Sequence, residues 1–206
     1  MRISAIILSA GSSRRMGKPK ALLNIREKTF LQHIIDTVES AGIKDVVIVL
    51  GFEWQTIQET LSSFKGKIIV NKAWEQGQLS SIIAGLNKIN QKECDGVLIC
   101  PVDHPMISTA LIEKLVEAFQ HSKRKIVIPT HNGRRGHPII ISSELFPEIK
   151  NASLVVGLRE VVRAHENDIE LVSTEEEGIL INIDTQEDYQ RYIHHGLYGK
   201  STDEHR

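Results

Sequence analysis

Cysteine is scarce in this chain, with two residues among 206, Cys94 and Cys100. With no C-x-x-C and no second pair to complete a tetrahedral set, they offer no structural zinc site and read as reduced, buried small hydrophobes. A surplus of one charge is also missing. Lysine and arginine number 25 against 26 aspartates and glutamates, giving a net charge of -1. No global field therefore exists to hold nucleic acid or an anionic membrane. No apolar run approaches the roughly 20 residues that span a bilayer. The start, Met1-Arg2 running straight into a strand-like Ile3 to Leu8, lacks the apolar core and cleavage site of a secretory signal, which predicts a soluble, cytoplasmic protein. Any anion site in such a chain must be local.

What is present is a globular composition, 41% hydrophobic and 25% charged, at a length that fits one compact domain. Short β-branched runs alternate with amphipathic stretches, the pattern of a sheet with crossover helices. The runs are Ser4 to Ser9, Val46 to Leu50, Lys67 to Val70, Val97 to Cys100, Ile126 to Pro129, Ile139 to Ile141, Ile169 to Val172 and Ile179 to Ile183. Leu31, Ile34, Ile35 and Val38 recur at helical spacing behind a possible Thr29 cap. Further helices are predicted near Glu53 to Ser63, Leu79 to Lys88, Thr109 to Gln120, Leu154 to His165 and Gln186 to His195. Val46 to Leu50 is apolar at every position, as in an inner parallel strand covered on both faces. Asn132-Gly133 predicts one small antiparallel excursion between Ile126 to Pro129 and Ile139 to Ile141.

Ligands of open α/β sheets bind beyond the carboxyl ends of the strands, and three such ends carry chemistry. After the first strand comes Ala10-Gly11-Ser12-Ser13-Arg14-Arg15-Met16-Gly17-Lys18-Pro19-Lys20, with two glycines, two serines and four cations. Glycines admit backbone N–H groups to phosphate oxygens, serines add hydroxyl donors, and the cations add charge-assisted bonds. A triphosphate satisfies such a loop. It is neither a Walker A motif, since five residues separate Gly11 from Gly17 and Pro19 follows Lys18, nor a G-x-G-x-x-G turn. Lys20 is expected to be exposed until a ligand arrives.

The second end is Cys100-Pro101-Val102-Asp103-His104-Pro105, where Asp103 suits Mg²⁺ or, alternatively, a turn. The third is Asn182-Ile183-Asp184-Thr185-Gln186-Glu187, where Asp184 is a second metal candidate. Asp184 or Thr185 equally fits a helix cap, with Glu187 or Asp188 completing a capping box. The stretch Asn71 to Ser81 also opens a helix after a strand, and Ser80 or Ser81 fits either a ligand or an ordinary cap. Arg134-Arg135-Gly136-His137-Pro138 brings two cations that suit an acceptor phosphate, while His137 equally fits a structural turn. His194-His195 reads as a solvated face.

Together these segments resemble the MobA-like nucleotidyltransferase superfamily, most closely its MocA-type molybdenum cofactor cytidylyltransferases, over about residues 3 to 195. Leu8 to Lys20 is similar to L-A-A-G-x-S-x-R-M-G-x-x-K, Gly77 to Leu86 to G-x-x-x-S-[LI]-x-x-G-L, Gly136-His137-Pro138 to G-H-P, and Asn182 to Thr185 to D-I-D-T. Ser9 stands where alanine is common, and Pro101 to Pro105 departs from the usual G-D-Q-P or A-D-M-P form. The length predicts one domain over 1–195, and the end at 196–206 reads as a flexible tail; the resemblance implies a three-layer α/β/α Rossmann-like fold with a mostly parallel sheet. It implies Arg15 and Lys20 as catalytic cations and Mg²⁺ on Asp103 and Asp184. Ser9, Ala10, Gly11, Ser12, Ser13, Arg14, Met16, Gly17, Gly77, Ser80 and Ser81 would bind the nucleotide, and Arg135 and His137 the acceptor. The implied reaction is CMP transfer from CTP to molybdopterin with loss of pyrophosphate, the product passing to a molybdoenzyme or its chaperone. Sugar or polyol phosphate acceptors, and a nucleotide-binding cofactor chaperone without turnover, remain the alternatives.

Overall fold

The computed structural model describes residues 1–194. His195 and the predicted tail at 196–206 lie outside the described residues. An eight-stranded sheet forms the centre. Its strands are β1 (Ile3–Ser9), β4 (Asp45–Leu50), β5 (Lys67–Val70), β6 (Gly96–Pro101), β7 (Ile126–His131), β8 (Arg134–Arg135), β9 (Ile139–Ser142) and β10 (Ile169–Ser173). A separate two-stranded hairpin joins β2 (Asn24–Ile25) to β3 (Lys28–Thr29). The main order is β10-β7-β9-β6-β1-β4-β5, with β8 paired to β7. Neighbouring pairs are parallel except those made by β9 and β8.

Alternation in the inner strands explains the two outer layers. In β1, Ala5 and Ile7 join Ile48, Leu98 and Cys100 in one core, while Ile6 and Leu8 join Val47, Val49, Val97 and Ile99 in the other. Each face needs cover, since an exposed sheet face of this kind forfeits about 25 cal/mol per Å² of apolar surface. The first face is covered by α1 (Phe30–Ser40), α2 (Trp54–Glu59) and α4 (Thr109–His121). The second takes α3 (Gln78–Leu86), α5 (Phe146–Asn151) and α6 (Arg159–Ala164). A last short helix, α7 (Gln186–Tyr189), runs into a π-helical turn at Gln190–His194. The layered α/β fold with its antiparallel excursion is the predicted one. No helix among the described residues is long and apolar enough to cross a membrane. Both cysteines are free and buried, and burial pushes the Cys100 thiol well up.

Local signals held where they were strong. Thr29 caps α1, its hydroxyl oxygen accepting from the Gln32 N–H at 3.2 Å. Other predicted elements are corrected. Ile179 to Ile183 is not a strand: a 3₁₀ turn covers Glu177–Leu180, and the chain then runs extended beside the site. The alternating burial of Ile179, Ile181 and Ile183 is real. Their backbone, however, bonds to loops, with Ile179 C=O accepting from His137 N–H at 3.0 Å and Ile183 N–H donating to Asp103 C=O at 2.8 Å. Gly178 lies so close to Met106 that a Cβ would stand 1.9 Å from its carbonyl oxygen.

The predicted helix at Leu154 to His165 is shorter, starting only at Arg159. Gly157, at φ 78, breaks the first turn and leaves Val155 96% exposed. The predicted helix at Glu53 to Ser63 is likewise confined to Trp54–Glu59. The helix α5 is too short to show a helical period in the sequence; Pro147 sits at its start, where a missing N–H costs nothing.

Candidate active site

The carboxyl ends of β1 and β6, the start of α3 and the chain before α7 enclose one pocket of about 600 Å³. From the sequence-predicted set it gathers Ser9, Ala10, Gly11, Ser12, Ser13, Arg14, Arg15, Lys20, Gly77, Ser81, Asp103 and Asp184. Trp74, Gln78, Pro101 and Val102 also form its wall. Trp74 packs edge-on against Phe52, with ring centroids 5.6 Å apart. Its selection would have needed knowledge that the segment before α3 folds over the loop.

The basic loop is tightly wound. Ser13 enters the left-handed region at φ 48, a 3₁₀ turn covers Arg14–Met16, and Gly17 at φ 71 reverses the chain. The Ser13 hydroxyl oxygen then accepts the Lys20 backbone N–H at 3.1 Å. This returns the lysine beneath the loop, and its side chain is only 11% exposed. The expectation of an exposed Lys20 is therefore corrected. Its ammonium lies 3.1 Å from Asp103 Oδ2 and pairs also with Asp184 Oδ1. A buried ammonium needs such partners, and two carboxylates brought together need a cation. Arg15 reaches the other oxygen of Asp184 at 3.0 Å. Burial pushes the Asp184 carboxyl up, but Lys20 and Arg15 outweigh it and hold the group below its ordinary value.

The capping question is settled by geometry. Thr185 caps α7: its hydroxyl accepts from Asp188 N–H at 3.1 Å, and Asp188 accepts from Thr185 N–H at 2.9 Å. Asp184 is thus left to face the cations. Gln186 ties α7 to the loop by donating to Met16 C=O at 3.0 Å.

Five predicted site residues lie outside the pocket lining. Met16 is buried in the core, and Gly17 sits at the reversal of the loop. Ser80 is buried and donates to Ala73 C=O and Gly77 C=O. Arg135 grips Glu166 with both terminal nitrogens, one contact at 3.0 Å. His137 stacks obliquely on His104, rings 4.9 Å apart, and Nδ1 of each is buried without a hydrogen-bond partner among the described residues.

Burial, with the facing His104 adding to it and Asp103 opposing, brings His137 down to about 4. The unfolded chain titrates near an ordinary histidine value of about 6.5 and so takes up a proton that the folded chain refuses. Stability unaffected by this group above about pH 6.5 should fall as pH drops through about 4, by on the order of 3 kcal/mol. Urea unfolding across that window should give a flatter profile for His137→Gln than for wild type. Parallel profiles would contradict a histidine held neutral by burial.

Among the described residues no group of three or more histidine, cysteine or acidic side chains stands ready for a metal. Two carboxylates converging on one cation nevertheless suit Mg²⁺, which usually takes one or two carboxylates and completes its shell with water and substrate phosphates. The donor set, all oxygen, is also right for a hard dication.

The profile of the MobA-like NTP transferase domain family matches residues 5–169. Across 200 residues the chain is 28% identical to nicotine blue oxidoreductase from Paenarthrobacter nicotinovorans, covering 93% of this chain and 96% of that protein. It is 31% identical over 143 residues to a probable molybdenum cofactor guanylyltransferase from Bacillus mycoides, covering 65% of this chain and 64% of that one. Among solved structures, Rv0371c from Mycobacterium tuberculosis in complex with manganese superposes with a TM-score of 0.80 at 20% identity, covering 94% of this chain and 98% of that one.

Proposed function

The chain belongs to the MobA-like NTP transferase family and is a nucleotidyltransferase, and we propose that it transfers CMP from CTP to molybdopterin with release of pyrophosphate. The observation that carries the reading is the cluster of Lys20, Arg15, Asp103 and Asp184 at the floor of a basic glycine loop. An oxygen of the acceptor phosphate attacks the α-phosphorus of CTP and forms the new P–O bond. The bond from that phosphorus to the bridging oxygen breaks, and pyrophosphate leaves with its electron pair. A phosphate nucleophile is already deprotonated near neutrality, so the site needs no general base.

Positioning and charge neutralisation remain as the protein's work. Ser12, Ser13 and the loop backbone orient the triphosphate, Arg14 and Arg15 meet its outer charge, and Lys20 meets charge developing at the α-phosphorus. Asp103 and Asp184 would hold Mg²⁺, which supplies further neutralisation of the phosphates when bound. Likeness to a structure crystallised with manganese supports a divalent cation. The reading takes 1–195 as one domain, with a molybdoenzyme or its chaperone as recipient.

The likeness to a molybdenum cofactor guanylyltransferase supports the acceptor class. The full-length likeness to an oxidoreductase shows why fold alone does not carry the chemistry. For the base, Ala10 lines the pocket, and a methyl at that position leaves less room beside a bound base than a glycine would. A pyrimidine fits a narrowed channel better than a purine, a difference of about 1 to 3 kcal/mol, or roughly 10- to 200-fold. Calorimetry with Mg²⁺ should therefore show tighter binding of CTP than GTP. Equal or stronger GTP binding would overturn the base assignment and leave nucleotidyl transfer standing.

A further inference from the structure

Behind the pocket wall lies a buried polar network that none of the phosphate or metal chemistry uses. Asn71 directly follows β5, is 7% exposed, and its backbone N–H donates to Leu50 C=O at 2.8 Å. Its carboxamide has one possible orientation. The Ala73 N–H can only donate, and it lies 2.9 Å from Oδ1, so the amide oxygen must face it. The two N–H groups of Nδ2 then point to α3, 2.9 Å from Ser80 Oγ and 3.0 Å from Ser81 Oγ.

Both serine oxygens are therefore acceptors toward Asn71, and each still has one proton to place. Ser80 places its proton inward, 3.0 Å from Ala73 C=O and 2.8 Å from Gly77 C=O. Ser81 has no acceptor among the described residues, although it is 3% exposed and lines the pocket. A buried hydroxyl proton without an acceptor is unfavourable, and the one direction left to it is the pocket.

We infer that Asn71 is a positioning residue of the nucleotide pocket, fixing the Ser81 hydroxyl as a donor, so that the ligand atom meeting it is a hydrogen-bond acceptor. The inference rests on the nucleotide reading given above and deepens it. A carbonyl oxygen or ring nitrogen of the base, a ribose oxygen and a phosphate oxygen share the required chemistry. A group that can only donate, such as an exocyclic amine, is rejected at this point because two donors would face each other.

The polarity can be reversed by one atom. In Asn71→Asp the carboxylate still accepts from Ala73 but can no longer donate, so the Ser81 hydroxyl turns back to it and offers the pocket only lone pairs. Calorimetry of CTP with Mg²⁺ should show affinity lowered about 10-fold in Ser81→Ala, about equally in Asn71→Asp, and no further in the double variant. Non-additivity is the informative readout, since a merely structural defect at Asn71 would add to the loss at Ser81. A parallel titration with inorganic triphosphate separates the sources: an unchanged affinity places the acceptor atom on the nucleoside, an equal loss places it on the phosphates.

Additive losses, or Asn71→Asp binding like wild type, would overturn the inference. Should Asn71→Asp fail to fold, Ser81→Ala decides alone, and wild-type affinity in that variant would overturn it. A wild-type protein that binds no nucleoside triphosphate would overturn the nucleotide reading together with the inference. Wild-type binding with unaffected variants would overturn only the inference.

Discussion

A Lys20→Ala protein is expected to turn over roughly 10²- to 10³-fold more slowly than wild type, the scale seen when one preorganised donor to a developing oxyanion is removed. On the proposed reading the loss should fall on kcat more than on KM, because the ammonium would meet charge that grows at the α-phosphorus rather than charge already present in the bound nucleotide. The structure adds a second consequence. Lys20 pairs with both Asp103 and Asp184 in the free protein, so its removal leaves two carboxylates facing each other without that cation. Thermal stability should drop, by about 1 to 3 kcal/mol for a partly buried pair broken on one side. Divalent cations should also stabilise the variant more than they stabilise wild type, because the competing ammonium is gone. Near-normal kcat in folded Lys20→Ala would remove the lysine from the reaction. An unchanged thermal response to Mg²⁺ would mean that the carboxylates are not a cation site.

Asp103→Asn should lower turnover by on the order of 10²-fold and move the Mg²⁺ requirement to higher concentration, since metal neutralisation of phosphates supplies several kcal/mol of transition-state stabilisation. Asparagine preserves size but brings no charge to a hard dication. Asp184→Asn should act in the same direction and less severely, because Arg15 and Lys20 already crowd that carboxylate with positive charge. The helix it precedes would not suffer, as Thr185 and Asp188 provide its cap. Activity titrated with Mg²⁺ checks both variants. Wild-type curves for Asp103→Asn would dismiss it as a ligand.

Much of the site was legible because its signals are local. Glycines, serines and cations between Ala10 and Lys20 sit within one loop, and Asp103 lies next to a strand whose continuous apolar run announces where it ends. What escaped depends on partners distant in sequence. Nothing near Lys20 foretells that residues 83 and 164 positions away will bury it between two carboxylates. The sequence around Arg135 suits an acceptor phosphate, yet Glu166 pairs with it from 31 positions away. Asn71 reaches α3 from the end of β5 through hydrogen bonds to Ser80 and Ser81, which no spacing rule reports.

The fold followed the same division. Inner strands such as Asp45–Leu50 were plain from composition. Ile179 to Ile183 has the alternation of a strand, but the sheet edges belong to β5 and β10. Its backbone groups therefore pair with the loops around His137 and Asp103 instead. That substitution brings Asp184 to the site.

The central claim is nucleotidyl transfer, and pyrophosphate release tests it most directly. With Mg²⁺, CTP and molybdopterin, the wild-type protein should release one pyrophosphate for each molybdopterin converted to its cytosine dinucleotide, and none when the acceptor or the metal is omitted. Release only with a sugar or polyol phosphate would replace the acceptor and keep the chemistry. Tight CTP binding with no pyrophosphate from any of these acceptors would contradict the account and identify a nucleotide-binding protein without turnover.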